Sequence, residues 1–295
     1  MPPDASSCPC TARTSCVRSP SCILGTRRRS VAELSFFEAA GNRFAMIDGF
    51  VSAEPESAVR RVLSSSLMTD ENLDGVLICG PSRAGADCRM EIFNRDGSRA
   101  EACGNGLRCV ARFAFERGRV GERLRIETAV GLRTVLVLRD GSGAIRSFRT
   151  GMGRPRIVEE EDLSLGAMSV RATIVDMGNR HCVLFVEDVP AIPVKTLGPL
   201  LERHVLLAKR TNVGFARVQS NGIELRVWER GVGETAACGT GAAAAAAVAL
   251  RRGLVVTPLE VRMAGGVLNV HWDGESELFL EGPAEPIAAR TAIGF

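Results

Sequence analysis

Two cysteines in this sequence occur in the same short motif, Cys-Gly-x-Gly, and each motif leads into a run of residues that favours a helix. Cys103 opens CGNG and Cys238 opens CGTG. The first N–H groups of a helix lack an intrahelical partner and lie at the positive end of the helix dipole, which favours anions. We therefore expect a thiol at each position to have a lowered pKa and to act as an acid or base.

The residues that follow each cysteine are suited to hold a carboxylate. The backbone N–H groups of Gly104 and Asn105, or of Gly239 and Thr240, would face an anion at the helix start. Glycine also lets a ligand approach the backbone closely. An amino acid held between the two helix starts would present its α-carbon to a thiolate on one face and a thiol on the other. Such a pair can invert a stereocentre directly, by removing a proton from one face and returning one to the other.

The chain lacks the pattern of a pyridoxal phosphate enzyme, in which a lysine binds the cofactor. Its lysines are Lys195 and Lys209, and neither lies in a site-like context. We expect no cofactor and no metal. The carbanion would then be stabilised by the helix termini and a dry pocket.

The Cys-Gly-x-Gly motif is part of a longer internal repeat. Residues 92–106, IFNRDGSRAEACGNG, align without a gap with residues 227–241, VWERGVGETAACGTG. A second pair lies upstream in each half, AAGNRF at 39–44 and DMGNRH at 176–181. Two motifs in the same order predict a duplicated unit, whereas chance similarity in a chain rich in Gly, Ala and Arg explains one motif more easily than both.

The elements that must position the cysteines follow from local patterns. Short β-branched or alternating segments predict strands at residues 134–138, 169–177, 181–186, 223–228 and 277–280. Apolar spacing predicts a helix over 107–117, and the Ala-rich run 242–250 predicts a second, slender helix that strands can approach closely. The predicted fold class is α/β (α+β). It has two pseudo-symmetric halves, each a curved sheet wrapped around a central helix, with the active site in the cleft between them.

Composition excludes several classes of function. The chain has 295 residues, 45% of them hydrophobic, and a net charge of +3 with the basic residues dispersed, so we expect no nucleic-acid partner. No apolar run predicts a membrane span or a secretory signal, which favours a cytoplasmic protein. Residues 1–30, rich in Ser, Pro and Arg, predict a disordered extension, with a targeting peptide or a start codon placed too early as alternatives. We interpret four further cysteines as small buried hydrophobes: Cys79, Cys88, Cys109 and Cys182.

The sequence resembles the diaminopimelate epimerase family of the PLP-independent racemase superfamily. Five separated motifs carry the resemblance, in family order: AAGNRFAMID, IFNRDGSRAEACGNGLRCVARF, DMGNRHCVLFVED, RTNVGFARV and WERGVGETAACGTGAAAAA. The resemblance implies interconversion of LL- and meso-2,6-diaminopimelate by two-base α-proton transfer without a cofactor, in lysine and peptidoglycan precursor biosynthesis. It also implies an amino-acid substrate and a homodimer. With its C-terminal segment returning to the first half, it implies an N-terminal half of residues 31–145 joined by about 282–295, and a C-terminal half of 146–281.

The resemblance also implies roles for particular residues. Cys103 and Cys238 are the implied catalytic acid/base pair, and His181 supports them together with Glu229. The implied substrate contacts are Asn42, Asn94, Gly104, Asn105, Asn179, Asn212, Glu229, Arg230, Gly239 and Thr240. Arg230 is suited to read a distal carboxylate because its planar guanidinium binds carboxylates bidentately.

Three departures from the family pattern bear on the substrate. Arg180 stands where the family usually has proline, Gly214 stands where it usually has glutamate, and the segment before Cys103 keeps Asp74 and Gly75 but little else. Two alternatives therefore remain at this stage. One is a related cofactor-independent racemase of another amino acid, and the other is a non-enzymatic thiol-redox or metal-binding protein.

Overall fold

A computed structural model describes residues 32–100, 103–166, 168–207, 211–220 and 222–293. The extension predicted at residues 1–30 lies outside the described residues. No helix in the described ranges is both long and apolar enough to span a membrane.

The described chain forms five helices and 18 strands. The helices are α1 (Pro55–Leu63), α2 (Leu67–Asp70), α3 (Gly104–Glu116), α4 (Val194–Glu202) and α5 (Gly239–Arg251). The first nine strands are β1 (Ala32–Ala39), β2 (Asn42–Asp48), β3 (Gly75–Gly80), β4 (Cys88–Asn94), β5 (Arg99–Ala100), β6 (Arg123–Thr128), β7 (Gly131–Arg139), β8 (Ile145–Gly151) and β9 (Arg156–Leu165). The others are β10 (Met168–Asp176), β11 (Arg180–Phe185), β12 (Asn212–Gln219), β13 (Gly222–Glu229), β14 (Gly233–Thr235), β15 (Leu259–Met263), β16 (Gly266–His271), β17 (Phe279–Gly282) and β18 (Glu285–Ile293).

The elements predicted from local patterns are confirmed. The five predicted strands correspond to β7, β10, β11, β13 and β17, and the two predicted helices correspond to α3 and α5. Both helices begin three residues earlier than predicted, directly after a cysteine. Sequence analysis did not predict α1, α2 or α4. Helix α2 has only four residues, and α1 buries only Ala58, Val59 and Val62, so neither produces a long periodic signal.

The strands join into one mixed sheet of 18 strands. The same series of pairings occurs twice within it. Strands β2 and β3 are parallel, β3 and β4 antiparallel, and β4 and β6 parallel. In the second series β11 and β12 are parallel, β12 and β13 antiparallel, and β13 and β15 parallel. Helix α3 lies between β5 and β6, and α5 lies between β14 and β15. The predicted mixed α/β class is confirmed.

Each of these two helices is buried against strands of its own series. Helix α3 packs in an apolar core with side chains of β2, β3, β4, β6 and β7, and Phe37 meets Phe113 edge to face at 6.1 Å. Helix α5 packs in a second core with side chains of β11, β12, β13, β15 and β16. Every side chain from Ala242 to Ala247 is fully buried in that core. Because alanine has almost no side-chain bulk, strands can approach α5 on all sides.

The C-terminal strand returns to the start of the described chain. Strand β18 pairs antiparallel with β1, with Leu34 opposite Thr291. The Arg112 guanidinium of α3 donates to the Ala284 carbonyl at 2.8 Å and binds the Glu285 carboxylate at 2.8 Å. These contacts connect the C-terminal segment to the α3 core.

Candidate active site

Cys103 and Cys238 are the N-cap residues of α3 and α5. Both have extended backbones, with φ/ψ of −147°/116° at Cys103 and −137°/107° at Cys238. The Cys103 Sγ accepts a hydrogen bond from the Gly106 N–H at 3.4 Å. The Cys238 Sγ lies 3.6 Å from the Thr240 hydroxyl. Each sulfur therefore lies beside the unpaired donors of a helix start.

The two helix starts meet. A methyl group placed on Gly239 would lie 3.9 Å from the Gly104 Cα, 3.9 Å from the Met152 Cε and 3.3 Å from a Leu280 methyl. A methyl group on Gly104 would lie 3.6 Å from the Met152 Sδ. The fold thus brings together two motifs that are far apart in sequence.

The expectation that both thiols have a lowered pKa is wrong for the free protein. Burial raises the pKa of Cys103, and the nearby Gly106 and Asn105 N–H groups counteract only part of that rise. Burial likewise raises the pKa of Cys238, against the opposing effects of Thr240 and the Gly241 N–H. The helix start does favour the thiolate, but desolvation disfavours the charged form more strongly here.

One half-buried carboxyl group lies close to both thiols. Glu229, at the end of β13, shares a hydrogen bond with the Cys238 thiol and accepts another from the Thr235 hydroxyl at 2.7 Å. Its negative charge raises the pKa of both Cys103 and Cys238, and burial raises the pKa of Glu229 itself. A single carboxyl group thus influences the protonation of both thiols.

A chain of amides lies beside the α3 start. The Asn105 amide N–H donates to the Asn42 Oδ1 at 2.7 Å, and the Asn42 amide N–H donates to the Asp74 carboxylate at 3.3 Å. Asp74 also accepts from the Arg43 backbone N–H at 2.8 Å. The retained Asp74 therefore orients Asn42, one of the predicted substrate contacts.

A second hydrogen-bond chain leads to Cys238. His181 is buried, and burial lowers its pKa to about 3, so the imidazole is neutral. Its Nε2 lies 3.2 Å from the Asn179 Oδ1, which only accepts, so Nε2 carries the proton. The Asn179 amide then donates to the Thr240 Oγ1 at 3.3 Å, and the Thr240 hydroxyl lies 3.6 Å from the Cys238 Sγ, where it can donate to a thiolate. The His181 Nδ1 has no hydrogen-bond partner in the described part of the chain.

The remaining predicted contacts lie in two places. The Asn212 side chain, on β12 beside His181, donates to the Arg180 carbonyl at 3.1 Å and accepts from the Arg230 N–H at 2.9 Å. Asn94 is exposed and donates to the Ser98 hydroxyl at 3.0 Å within its own turn. The structure therefore joins Asn212, Arg180 and Arg230 to the His181 side of the site, whereas the Asn94 amide is occupied locally.

Sequence analysis missed Arg108 and Met152. Arg108 is fully buried in α3, and its Nη2 donates to the Asn105 Oδ1 at 2.6 Å. One signal for it is present in the sequence, because an arginine interrupts the apolar face of the predicted helix and Ala243 holds the matching position after Cys238. Met152 lies at the helix starts through a loop whose position depends on the tertiary fold.

Comparison with solved structures defines the class of protein. The fold is similar to that of a phenazine biosynthesis protein of the PhzF family from Bacillus anthracis, with a TM-score of 0.68, 14% identity and coverage of 90% of this chain and 100% of that chain. It is also similar to a probable proline racemase from Agrobacterium radiobacter K84, with a TM-score of 0.66, 17% identity and coverage of 89% and 93%. The chain thus has the mixed α/β fold shared by these two groups of proteins.

Sequence comparison identifies the family within that class. The sequence profile of the diaminopimelate epimerase family matches residues 37–158 and 173–287. The diaminopimelate epimerase of Pelotomaculum thermopropionicum is 39% identical over 267 residues, which cover 84% of this chain and 94% of that protein. The diaminopimelate epimerase of Desulforudis audaxviator is 40% identical over 274 residues, which cover 86% and 97%. This chain belongs to the diaminopimelate epimerase family, which confirms the resemblance, and it is an isomerase.

Proposed function

We propose that this chain interconverts LL- and meso-2,6-diaminopimelate without a cofactor, with Cys103 and Cys238 as the two acid/base groups. The observation that carries the proposal is the meeting of two cysteine-capped helix starts near one half-buried carboxyl group, Glu229, in a chain of this family. Two thiols on opposite faces of a bound amino acid are what inversion at an α-carbon requires.

The proposed reaction is a single inversion step with two proton transfers. The substrate carboxylate binds the N–H groups of Gly104, Asn105, Gly239 and Thr240 at the paired helix starts. One cysteine thiolate takes the α-proton, and the electron pair of the broken C–H bond moves into the carboxylate, whose charge the helix starts stabilise. The other cysteine thiol then donates its proton to the opposite face. The enzyme ends with the thiol and thiolate exchanged, and the reverse reaction restores them.

We propose that the fold consists of two pseudo-symmetric halves, residues 31–145 joined by about 282–295 and residues 146–281, with the site in the cleft between them. The repeated series of strand pairings and the separate cores around α3 and α5 support this division. The pairing of β18 with β1 supports the return of the C-terminal segment. A methyl group on Gly239 would lie 3.9 Å from the Gly104 Cα, which supports a single site at the two neighbouring helix starts.

The predicted distal contacts fall on both sides of these helix starts. Asn42 is held by Asn105 and Asp74, and Asn212 is held beside Arg230 and His181. Polar groups held in this way suit a substrate that has a second amino group and a second carboxylate. Asn94 and Asn179 are also among the proposed substrate contacts. We further propose a homodimer in the cytoplasm that serves lysine and peptidoglycan precursor biosynthesis. A reducing compartment suits an enzyme with two opposed thiols.

The test is α-proton exchange in D2O under reducing conditions. LL- and meso-diaminopimelate are offered separately, and lysine, glutamate, histidine and proline are each offered as alternative substrates. We expect deuterium to enter diaminopimelate alone, and inversion to be lost in both Cys103→Ala and Cys238→Ala. Cys109→Ala, which removes a buried thiol from the same helix as the Cys103 motif, is the matched control and should retain activity.

Each other outcome overturns a different part of the proposal. Exchange into another amino acid would keep the two-base mechanism and assign the chain to a related racemase. Absence of exchange into every substrate would reject the epimerase reaction and favour the thiol-redox or metal-binding alternative. Full inversion activity in either cysteine variant would reject the two-base assignment.

A further inference from the structure

Arg108 is a fully buried cation in a place where its charge is not balanced by a carboxylate. Its guanidinium donates to three neutral oxygens: the Pro283 carbonyl at 3.0 Å, the Gly104 carbonyl at 3.4 Å and the Asn105 Oδ1 at 2.6 Å. Within the described ranges, no Asp or Glu forms an ion pair with it. A buried charge without a counterion is costly, and proteins retain one where it has an anion to face.

The guanidinium is also held rigidly in place. A methyl group on Gly282 would lie 3.3 Å from the Arg108 Cζ and 3.4 Å from its Nε, so the guanidinium packs directly on the backbone of β17. With donor groups on both sides of the planar fork engaged, Arg108 cannot swing toward solvent. These contacts hold the guanidinium at the α3 start.

A purely structural role does not require this buried charge. Arg112, one helical turn further along α3, also connects the helix to the C-terminal segment through the Ala284 carbonyl at 2.8 Å. Arg112, however, is partly exposed and is paired with Glu116 at 2.7 Å and Glu285 at 2.8 Å. The same mechanical connection is thus made by an arginine whose charge is neutralised.

The candidate anion for Arg108 is the Cys103 thiolate. Burial raises the pKa of Cys103, and Glu229 on β13 adds to that rise; the Gly106 N–H opposes it most, followed by the Asn105 N–H and then by the Arg108 cation. The other thiol near Arg108 is Cys109, whose pKa burial raises so far that it remains a neutral thiol. At Cys238 the charge that shifts the thiol pKa is the negative charge of Glu229. Ala243 occupies the position after Cys238 that corresponds to Arg108 after Cys103.

We propose that Arg108 is a positioning residue whose buried cation is the counterion of the Cys103 thiolate and whose hydrogen bond fixes the Asn105 amide. Of the two thiols, Cys103 is then the one that loses its proton at the lower pH, and Cys238 keeps its proton to higher pH. This proposal rests on the proposed function, because it assigns the starting protonation state to the same two acid/base groups.

The test is the pH dependence of thiol alkylation by iodoacetamide, read separately at Cys103 and Cys238 by peptide mass spectrometry. Alkylation reports the thiolate and needs no substrate, so it is independent of whether diaminopimelate is turned over. In the unsubstituted protein we expect the apparent pKa of Cys103 to lie below that of Cys238. The comparison uses apparent pKa values, because absolute rates also depend on the different exposure of the two sulfurs.

Three variants isolate the charge. Arg108→Gln keeps a donor for the neutral oxygens but removes the cation, and we expect it to slow Cys103 alkylation at pH 7 about tenfold or more, as a shift of about one pKa unit implies. Arg108→Lys keeps the charge and should stay within about threefold of the original rate. Arg112→Gln is the matched control, because it breaks the neighbouring connection to the C-terminal segment but should leave the Cys103 profile unchanged.

Several results would overturn the proposal. One is an equal Cys103 profile in Arg108→Gln and the unsubstituted protein, and another is an equal shift in Arg112→Gln. If Arg108→Gln does not fold, the alkylation profiles of the unsubstituted protein still test the proposal, because an apparent pKa of Cys238 below that of Cys103 would contradict it. Loss of isomerase activity with an intact Cys103 profile would instead count against the proposed function alone.

Discussion

The hydroxyl of Thr240 provides a sensitive test of how the site maintains a usable thiolate at Cys238. The Asn179 amide donates to the Thr240 Oγ1 at 3.3 Å, and the Thr240 hydroxyl, 3.6 Å from the Cys238 Sγ, can donate to the thiolate and lowers the pKa of Cys238. Thr240→Val keeps the side-chain shape and the backbone N–H that would hold the substrate carboxylate. The substitution therefore removes the hydroxyl alone.

The expected magnitude follows from the loss of one hydrogen bond to a charged sulfur. Such bonds contribute about 1.5–3 kcal/mol, and 3.6 Å is a long contact even for sulfur, so we take about 1.4 kcal/mol, or about one pKa unit. The sign is upward, because the hydroxyl lowers the pKa of Cys238. At a pH below both pKa values, the thiolate fraction and kcat/KM should fall about tenfold.

The assay is the pH profile of kcat/KM in both directions. The loss must be equal in the two directions, because the ratio of the two values is set by the equilibrium constant of the reaction. We expect the rising limb to move to higher pH in Thr240→Val and activity to recover as the pH is raised. Thr240→Ser, which restores the hydroxyl, should lie within about threefold of the unsubstituted enzyme. Equal defects in the Ser and Val variants, or a pH-independent loss, would refute the reasoning.

Three further predictions concern packing and charge. Ala245→Leu adds three carbons to a fully buried position of α5 and should lower the free energy of unfolding by about 3 kcal/mol. Arg251→Leu, at the exposed end of the same helix, is the control and should change it by less than about 0.5 kcal/mol. Denaturant titrations and thermal melts measure both variants. The Arg119 guanidinium binds the buried Asp48 carboxylate through two contacts of 2.7 Å, so Arg119→Met should lower the free energy of unfolding by about 3 kcal/mol. Adding Asp48→Asn should restore at least part of this loss in urea titrations. Glu229→Gln removes the negative charge that raises the pKa of Cys103 and of Cys238, so the midpoints of both alkylation profiles should move to lower pH; a shift at one thiol alone would contradict the shared effect of this carboxyl group.

The asymmetry between the two helix starts is a general feature of this site. The α3 start has a buried arginine and an asparagine amide chain, whereas the α5 start has a buried neutral histidine and a threonine hydroxyl. The duplicated motif thus supports two chemically different environments. Under the proposed mechanism, this difference would set which of the two thiols loses its proton first.

Local patterns in the sequence were enough to determine the main elements. The Ala-rich run after Cys238 and the apolar spacing after Cys103 predict α5 and α3 because helix propensity and periodicity act within a few residues. Recurrence of the two motifs in order predicts two similar series of elements for the same reason. Short helices such as α2 escaped prediction, since four residues cannot establish a period.

The tertiary structure alone decided how the two cysteines are charged and what surrounds them. Sequence position at a helix start predicts a lowered thiol pKa, but burial by distant strands reverses that direction at both sulfurs. The close approach of the α3 and α5 starts at Gly104 and Gly239, and the packing of Arg108 against Gly282, likewise bring together residues far apart in the chain. Desolvation and charge pairing depend on every neighbour in space, so their outcome cannot be obtained from the residues nearest in sequence.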